Sequence, residues 1–134
     1  MPAPTSRVLF ALPLALDRSP VEGCYAVVTL STHVLDLVDG RPAVGMRVRV
    51  WRRESEQWVL VTDRATDSDG RVRDLVHQAE AGRWRIVFGT GSWSAAHGRA
   101  SFYPEIPVEF EAVEGHTHVP LLFGPYGYST YRGT

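Results

Sequence analysis

The sequence predicts an all-β sandwich of seven to eight strands with one short helix. Three observations predict it. From Val27 onward, short runs rich in β-branched and aromatic residues recur between turn residues. Two of these runs alternate apolar and polar residues as half-buried strands do, and no long amphipathic helical pattern interrupts the series.

The first predicted strand is TLSTHVLDLV, closed by DGRP, where Gly40 supplies a positive φ and Pro42 fixes the exit. Alternation puts His33 on the face of Ser31 and Leu35, opposite Val34 and Asp36. In GMRVRVWRR, Met46, Val48 and Val50 point one way, Arg47, Arg49 and Trp51 the other. QWVLVTDRATDSDGRVRDL carries a third strand, a turn at Asp69 and Gly70, and a short fourth strand. GRWRIVFGT alternates again, with Trp84, Ile86 and Phe88 on one face. TGSWSAAHG predicts the short helix, with Thr90 or Ser92 as N-cap and Gly98 as the closing glycine. FYPEIPVEFEAV and HTHVPLLFGPYGYSTYRG supply two or three more strands. Pro104, Pro107 and Pro120 belong at strand starts or edges, because proline donates nothing to a ladder.

Length and composition fit one domain: 134 residues, 44% hydrophobic, 22% charged, net charge -1. That balance does not suit a nucleic-acid partner, which needs a basic surface. All 14 basic residues are arginine, which lowers the weight of any single arginine as a signal. The sole cysteine, Cys24, can form no intrachain disulfide, and no CxxC spacing for zinc occurs. A cytoplasmic location is expected on that ground. We read residues 1–27 as an N-terminal extension and 28–134 as the sandwich domain. The extension contains VLFALPLAL, preceded by Arg7, the length of a signal-peptide apolar region. The following DRSPVEGC lacks a small-x-small cleavage site, so export is the alternative, and a misassigned start near Val27 or Val28 a third. The run is too short to span a bilayer, and no membrane partner is expected.

Of the five histidines, His116 and His118 flank Thr117 and project from one strand face. HxH on a strand is a metal-ligand spacing, but no local carboxylate or cysteine completes a site, and structural or surface histidines are the favoured reading of the same residues. His77 and His97 sit in loop-like polar surroundings that suit solvated side chains. Glu109 and Glu111 share a strand face, as solvated carboxylates commonly do. No GxSxG elbow, Walker loop or dinucleotide fingerprint is present.

The joint arrangement says more than any one motif. STHVLDLVDGRPAVG, TDSDGR, FYPEIPVEF and the closing HTHVPLLFGPYGYSTYRGT together resemble the transthyretin-like family, in its 5-hydroxyisourate hydrolase branch, from about Leu30 to Thr134. The resemblance implies a transthyretin-like sandwich that opens 5-hydroxyisourate hydrolytically in urate degradation, without cofactor or metal. It implies His33, Arg71 and His118 as catalytic residues and Tyr131, Arg132, Gly133 and Thr134 as substrate-binding. The family usually ends in serine, and Thr134 keeps the hydroxyl while adding a methyl. It also implies a homotetramer, a dimer of dimers. His116 is then a supporting or structural residue. The rival expectation is a carrier of a small molecule on the same fold, without catalysis; a weaker one is an interaction domain.

Overall fold

The computed structural model describes residues 26–134, so the expectations for VLFALPLAL and Cys24 lie outside the described residues. The chain order is β1 (Val27–Asp36), β2 (Arg41–Pro42), β3 (Arg47–Glu54), β4 (Gln57–Ala65), β5 (Arg71–Glu80), β6 (Gly82–Phe88), α1 (Thr90–Ala96), β7 (Ile106–Ala112), β8 (Gly115–His118), β9 (Leu121–Phe123) and β10 (Tyr128–Thr130). They form two sheets, one running β4-β3-β6-β7 and the other centred on β1. β8 and β9 are one strand interrupted at Val119 and Pro120, both lying parallel to β1. With the two-residue β2 set aside, the described residues therefore form eight strands of the sandwich.

Burial follows the alternation in the sequence. Val28, Leu30, Thr32, Val34 and Asp36 of β1 are buried toward the other sheet, and Val48 and Val50 of β3, with Met46 just before it, are buried opposite them. Trp84, Ile86 and Phe88 of β6 complete the centre, all at 0% exposure. Fully burying one such side chain contributes about 1.5–3 kcal/mol. The Trp84 indole N–H donates to the Glu80 carbonyl, so the large ring is buried with its donor satisfied.

Three local expectations change. β5 is not a short strand but runs ten residues, Arg71–Glu80. Its register on β1 shifts between Val28 and Leu30 and again between Leu30 and Thr32, which breaks the period-two signal that would have shown its length. His77 accordingly lies on a strand. The helix is capped at its start by Gly89 with no side-chain bond, not by Thr90 or Ser92. Thr90 is buried and Gly91 packs so tightly on Pro104 that a Cβ there would meet the Pro104 carbonyl oxygen at 2.4 Å. Packing, not capping, thus places the helix start. Gly98 closes the helix at φ +69, as expected. His97 is exposed, yet stacks on Trp93 at 3.9 Å between ring centroids.

The pairing around β1 positions the polar residues of its outer face. β5 pairs antiparallel on one side, with His33 opposite Arg71; β8 pairs parallel on the other, with His116 beside Thr29 and His118 beside Ser31. The side chains of Thr29, Ser31 and His33 alternate with the buried set and so emerge on the outer face of this sheet.

Candidate active site

Arg71 is delivered by a turn the sequence builds locally. The Asp67 carboxylate accepts the backbone N–H groups of Asp69 and Arg71, at 2.8 and 2.9 Å. Those bonds, that of Arg71 first, hold the Asp67 pKa below the usual carboxylate range. Gly70 has φ +74, and a Cβ on it would fall 2.7 Å from the Val34 carbonyl oxygen and 2.8 Å from Pro42 Cβ. Only glycine fits where this turn presses on β1 and β2. Among the described residues, Arg71 has no ion-pair partner, whereas Arg47, Arg49, Arg52, Arg73, Arg83, Arg85 and Arg99 each have at least one. Its charge is left to act on whatever occupies the sheet face.

His33 is half-buried, and its Nε2 lies 2.9 Å from the Asp69 carbonyl oxygen. A carbonyl only accepts, so Nε2 carries the hydrogen and Nδ1 is bare in the neutral ring. The same turn that presents Arg71 therefore also orients His33.

His118 emerges from β8 on the same face. Burial above all, then the positive charge of Arg71 and the neighbouring His33 and His116, holds its pKa below the ordinary imidazole value. Its neutral form is thereby favoured. Its Nδ1 lies 2.8 Å from Ser31 Oγ. The C-terminal tail closes the other edge of the ring: the Gly133 N–H donates to the His118 carbonyl at 2.7 Å, and a Cβ on Gly133 would sit 2.8 Å from His118 Cδ2.

The remaining tail residues take a different place. Tyr131 and Arg132 line a cavity of about 310 Å³ at the open edge of the sandwich, with Val108, Phe110, Thr117 and Val119. Thr117 and Val119 alternate with His116 and His118 along the chain, so this cavity is on the inner side of β8, away from the histidines. Thr134 is exposed at the end of the chain.

His33, Arg71, His118 and Gly133 are thus brought to one outer face. Ser31 is the member of that face the residue types did not single out, although its place two positions before His33 put it there. His116 joins it through hydrogen bonds between its Nδ1 and Thr29 Oγ1 and between its Nε2 and Ser31 Oγ, at 2.6 and 2.8 Å. Among the described residues, no group of three or more His, Cys, Asp or Glu comes together as metal ligands, and no helix is long and apolar enough to cross a membrane.

Two packed antiparallel-rich sheets, one short helix after β6 and a tail folded back on the penultimate strand define a transthyretin-like β-sandwich protein. The chain is similar to sea bream transthyretin in complex with thyroxine, with TM-score 0.76 and 28% identity over 79% of this chain and 95% of that one. It is similar to Klebsiella pneumoniae 5-hydroxyisourate hydrolase, with TM-score 0.73 and 37% identity over 80% of this chain and 99% of that one. The fold alone does not separate the two; the sequence does. A 5-hydroxyisourate hydrolase of Salmonella dublin is 41% identical over 109 residues, 78% of this chain and 80% of its own. Residues 30–133 match the model of the HIUase/Transthyretin family, and the chain belongs to that family, on its 5-hydroxyisourate hydrolase branch.

Proposed function

We propose that this protein hydrolyses 5-hydroxyisourate to 2-oxo-4-hydroxy-4-carboxy-5-ureidoimidazoline in urate degradation. The observation that carries the reading is that His118, His33 and Arg71, which has no carboxylate partner among the described residues, share one sheet face in a chain 41% identical to a protein of that activity. His118 takes a proton from water at Nε2, since Nδ1 is engaged by Ser31. The hydroxide character of that water attacks a ring carbonyl; Arg71 holds the charge that develops on the carbonyl oxygen. The C–N bond then breaks, and the proton held by His118 passes to the departing nitrogen. The acid formed loses its own proton to solvent. His33, fixed by the Asp69 carbonyl, offers Nδ1 to an N–H of the flat heterocycle.

In this reading the chain works as a homotetramer. Among the described residues, the outer edges of β7 and β10 are unpaired in the single chain, and large apolar groups such as Phe102 and Tyr131 are 68% and 59% exposed. Further copies that cover them would wall the open histidine face and give Tyr131, Arg132 and Thr134 a route to substrate. Gel filtration of an active preparation tests this, and full turnover by a monomer would sink it.

A coupled assay tests the function. Uricase generates 5-hydroxyisourate from urate in place, and the ultraviolet decay of the intermediate is followed with and without this protein. Acceleration is expected. Its absence, from a well-folded tetramer, transfers the weight to the carrier reading, which the likeness to a thyroxine-bound transthyretin favours.

A further inference from the structure

The parallel register of β8 on β1 lines up four side chains that the hydrolytic scheme uses only in part. Thr29 Oγ1, His116, Ser31 Oγ and His118 form an unbroken hydrogen-bonded row, with separations of 2.6, 2.8 and 2.8 Å. Ser31 is at its centre and only 9% exposed, so the two rings, not bulk water, satisfy its hydroxyl.

A hydroxyl has one proton and can donate to one of its two ring neighbours, not both. The row can be filled in two ways with neutral rings. In the first, His118 Nδ1–H donates to Ser31, Ser31 donates to His116 Nε2, and His116 Nδ1–H donates to Thr29 Oγ1. In the second every bond is reversed, Ser31 donates to His118 Nδ1, and the hydrogen of His118 sits on Nε2. Only the first leaves a lone pair on Nε2, the nitrogen that faces away from Ser31.

We propose that Ser31 is a positioning residue which holds His118 in the Nδ1–H form and passes its proton on to His116. When Nε2 takes a proton from water, the Nδ1 proton of His118 moves to Ser31 Oγ as the Ser31 proton moves to His116 Nε2. His118 ends neutral with hydrogen on Nε2, Ser31 ends as a hydroxyl, and His116 ends as the imidazolium, still donating to Thr29. No proton is lost or gained along the row. The direction is downhill in solvation, because His116 is exposed and His118 is not. Burial above all opposes a charge left on His118, and Arg71 on β5, His33 on β1 and His116 on β8 itself add to it. This inference rests on the proposed role of His118 as the base.

The experiment is heteronuclear NMR of the full-length protein with ¹⁵N-labelled histidine near neutral pH, without substrate, together with steady-state kinetics. In the wild type, His118 is expected to show a protonated Nδ1 and a bare Nε2; the reverse form overturns the proposal without any variant. In Ser31→Ala, the Nδ1–H form is expected to lose its dominance and kcat to fall on the order of 10-fold with KM little changed. Ser31→Thr, which keeps the hydroxyl, should restore both. His116→Phe should lower kcat and also lower the solvent isotope effect, because fewer protons then move in the step. An unchanged tautomer in Ser31→Ala overturns the inference even if kcat falls. Active wild-type protein with His118 in the Nε2–H form defeats this inference and the Nε2 base role with it, and leaves the hydrolase activity standing; inactive wild-type protein defeats the hydrolase reading and this one with it.

Discussion

Gly133 rests against the ring of His118 with no room for a side chain between them: a Cβ would stand 2.8 Å from Cδ2 and 3.0 Å from the carbonyl oxygen. The second-last residue of the chain thereby fixes one edge of the ring whose other edge Ser31 holds. A terminus frays unless it is tied down; here the tie is the Gly133 N–H on the His118 carbonyl.

Gly133→Ala is therefore expected to lower turnover about 10-fold or more while leaving the fold intact, because the methyl must displace either the tail or the imidazole. Turnover measured beside a circular dichroism melt checks this. An unchanged rate would show that the contact does not orient His118.

Replacing His118 by Ala should cost at least ~10²-fold in turnover. In the wild type, the acid limb of kcat/KM should have its midpoint below about 6.5, the value of a free imidazole. The same displacement acts on stability. Between the folded value and about 6.5 the unfolded chain binds more protons at His118 than the folded chain does, so this residue's contribution to stability declines as pH falls through that window. Denaturant titrations at several pH values, wild type against His118→Ala, isolate that part.

Arg71→Ala is expected to lower turnover by ~10²-fold or more, as loss of an oxyanion donor does. Arg71→Lys should recover only part, since an ammonium keeps the charge but not the planar fork. Melting temperatures should stay close to wild type in both, because among the described residues Arg71 is in no ion pair. Equal activity in the alanine variant would remove Arg71 from the site.

Gly70→Ala tests the turn itself. A positive φ costs an L-residue roughly 1–2 kcal/mol, and the added Cβ also meets the Val34 carbonyl oxygen at 2.7 Å. A fall in Tm of at least about 4–8 °C is expected, with turnover reduced through displacement of both Arg71 and His33. A melt and rate like wild type would contradict the close packing of the turn on β1.

Much of this was legible in the residues. The two faces of β1, β3 and β6 follow from side chains alternating every second residue, a steric rule that acts within a few residues and leaves its mark in the string itself. The turn at Asp69 and Gly70, the closing glycine of the helix and the shared face of His116 and His118 are local in the same sense. The extent of β5 was hidden where its bulged register on β1 breaks the period, and the helix start was misplaced because contact with Pro104, not a capping side chain, sets it. What only the tertiary structure decided is which faces meet. That His118 stands beside Ser31, that Arg71 stands opposite His33 and that Gly133 seals the ring all depend on pairing between segments far apart in the chain. Such pairing is selected by burial of the whole core at once, and a single sequence carries no short-range signature of it.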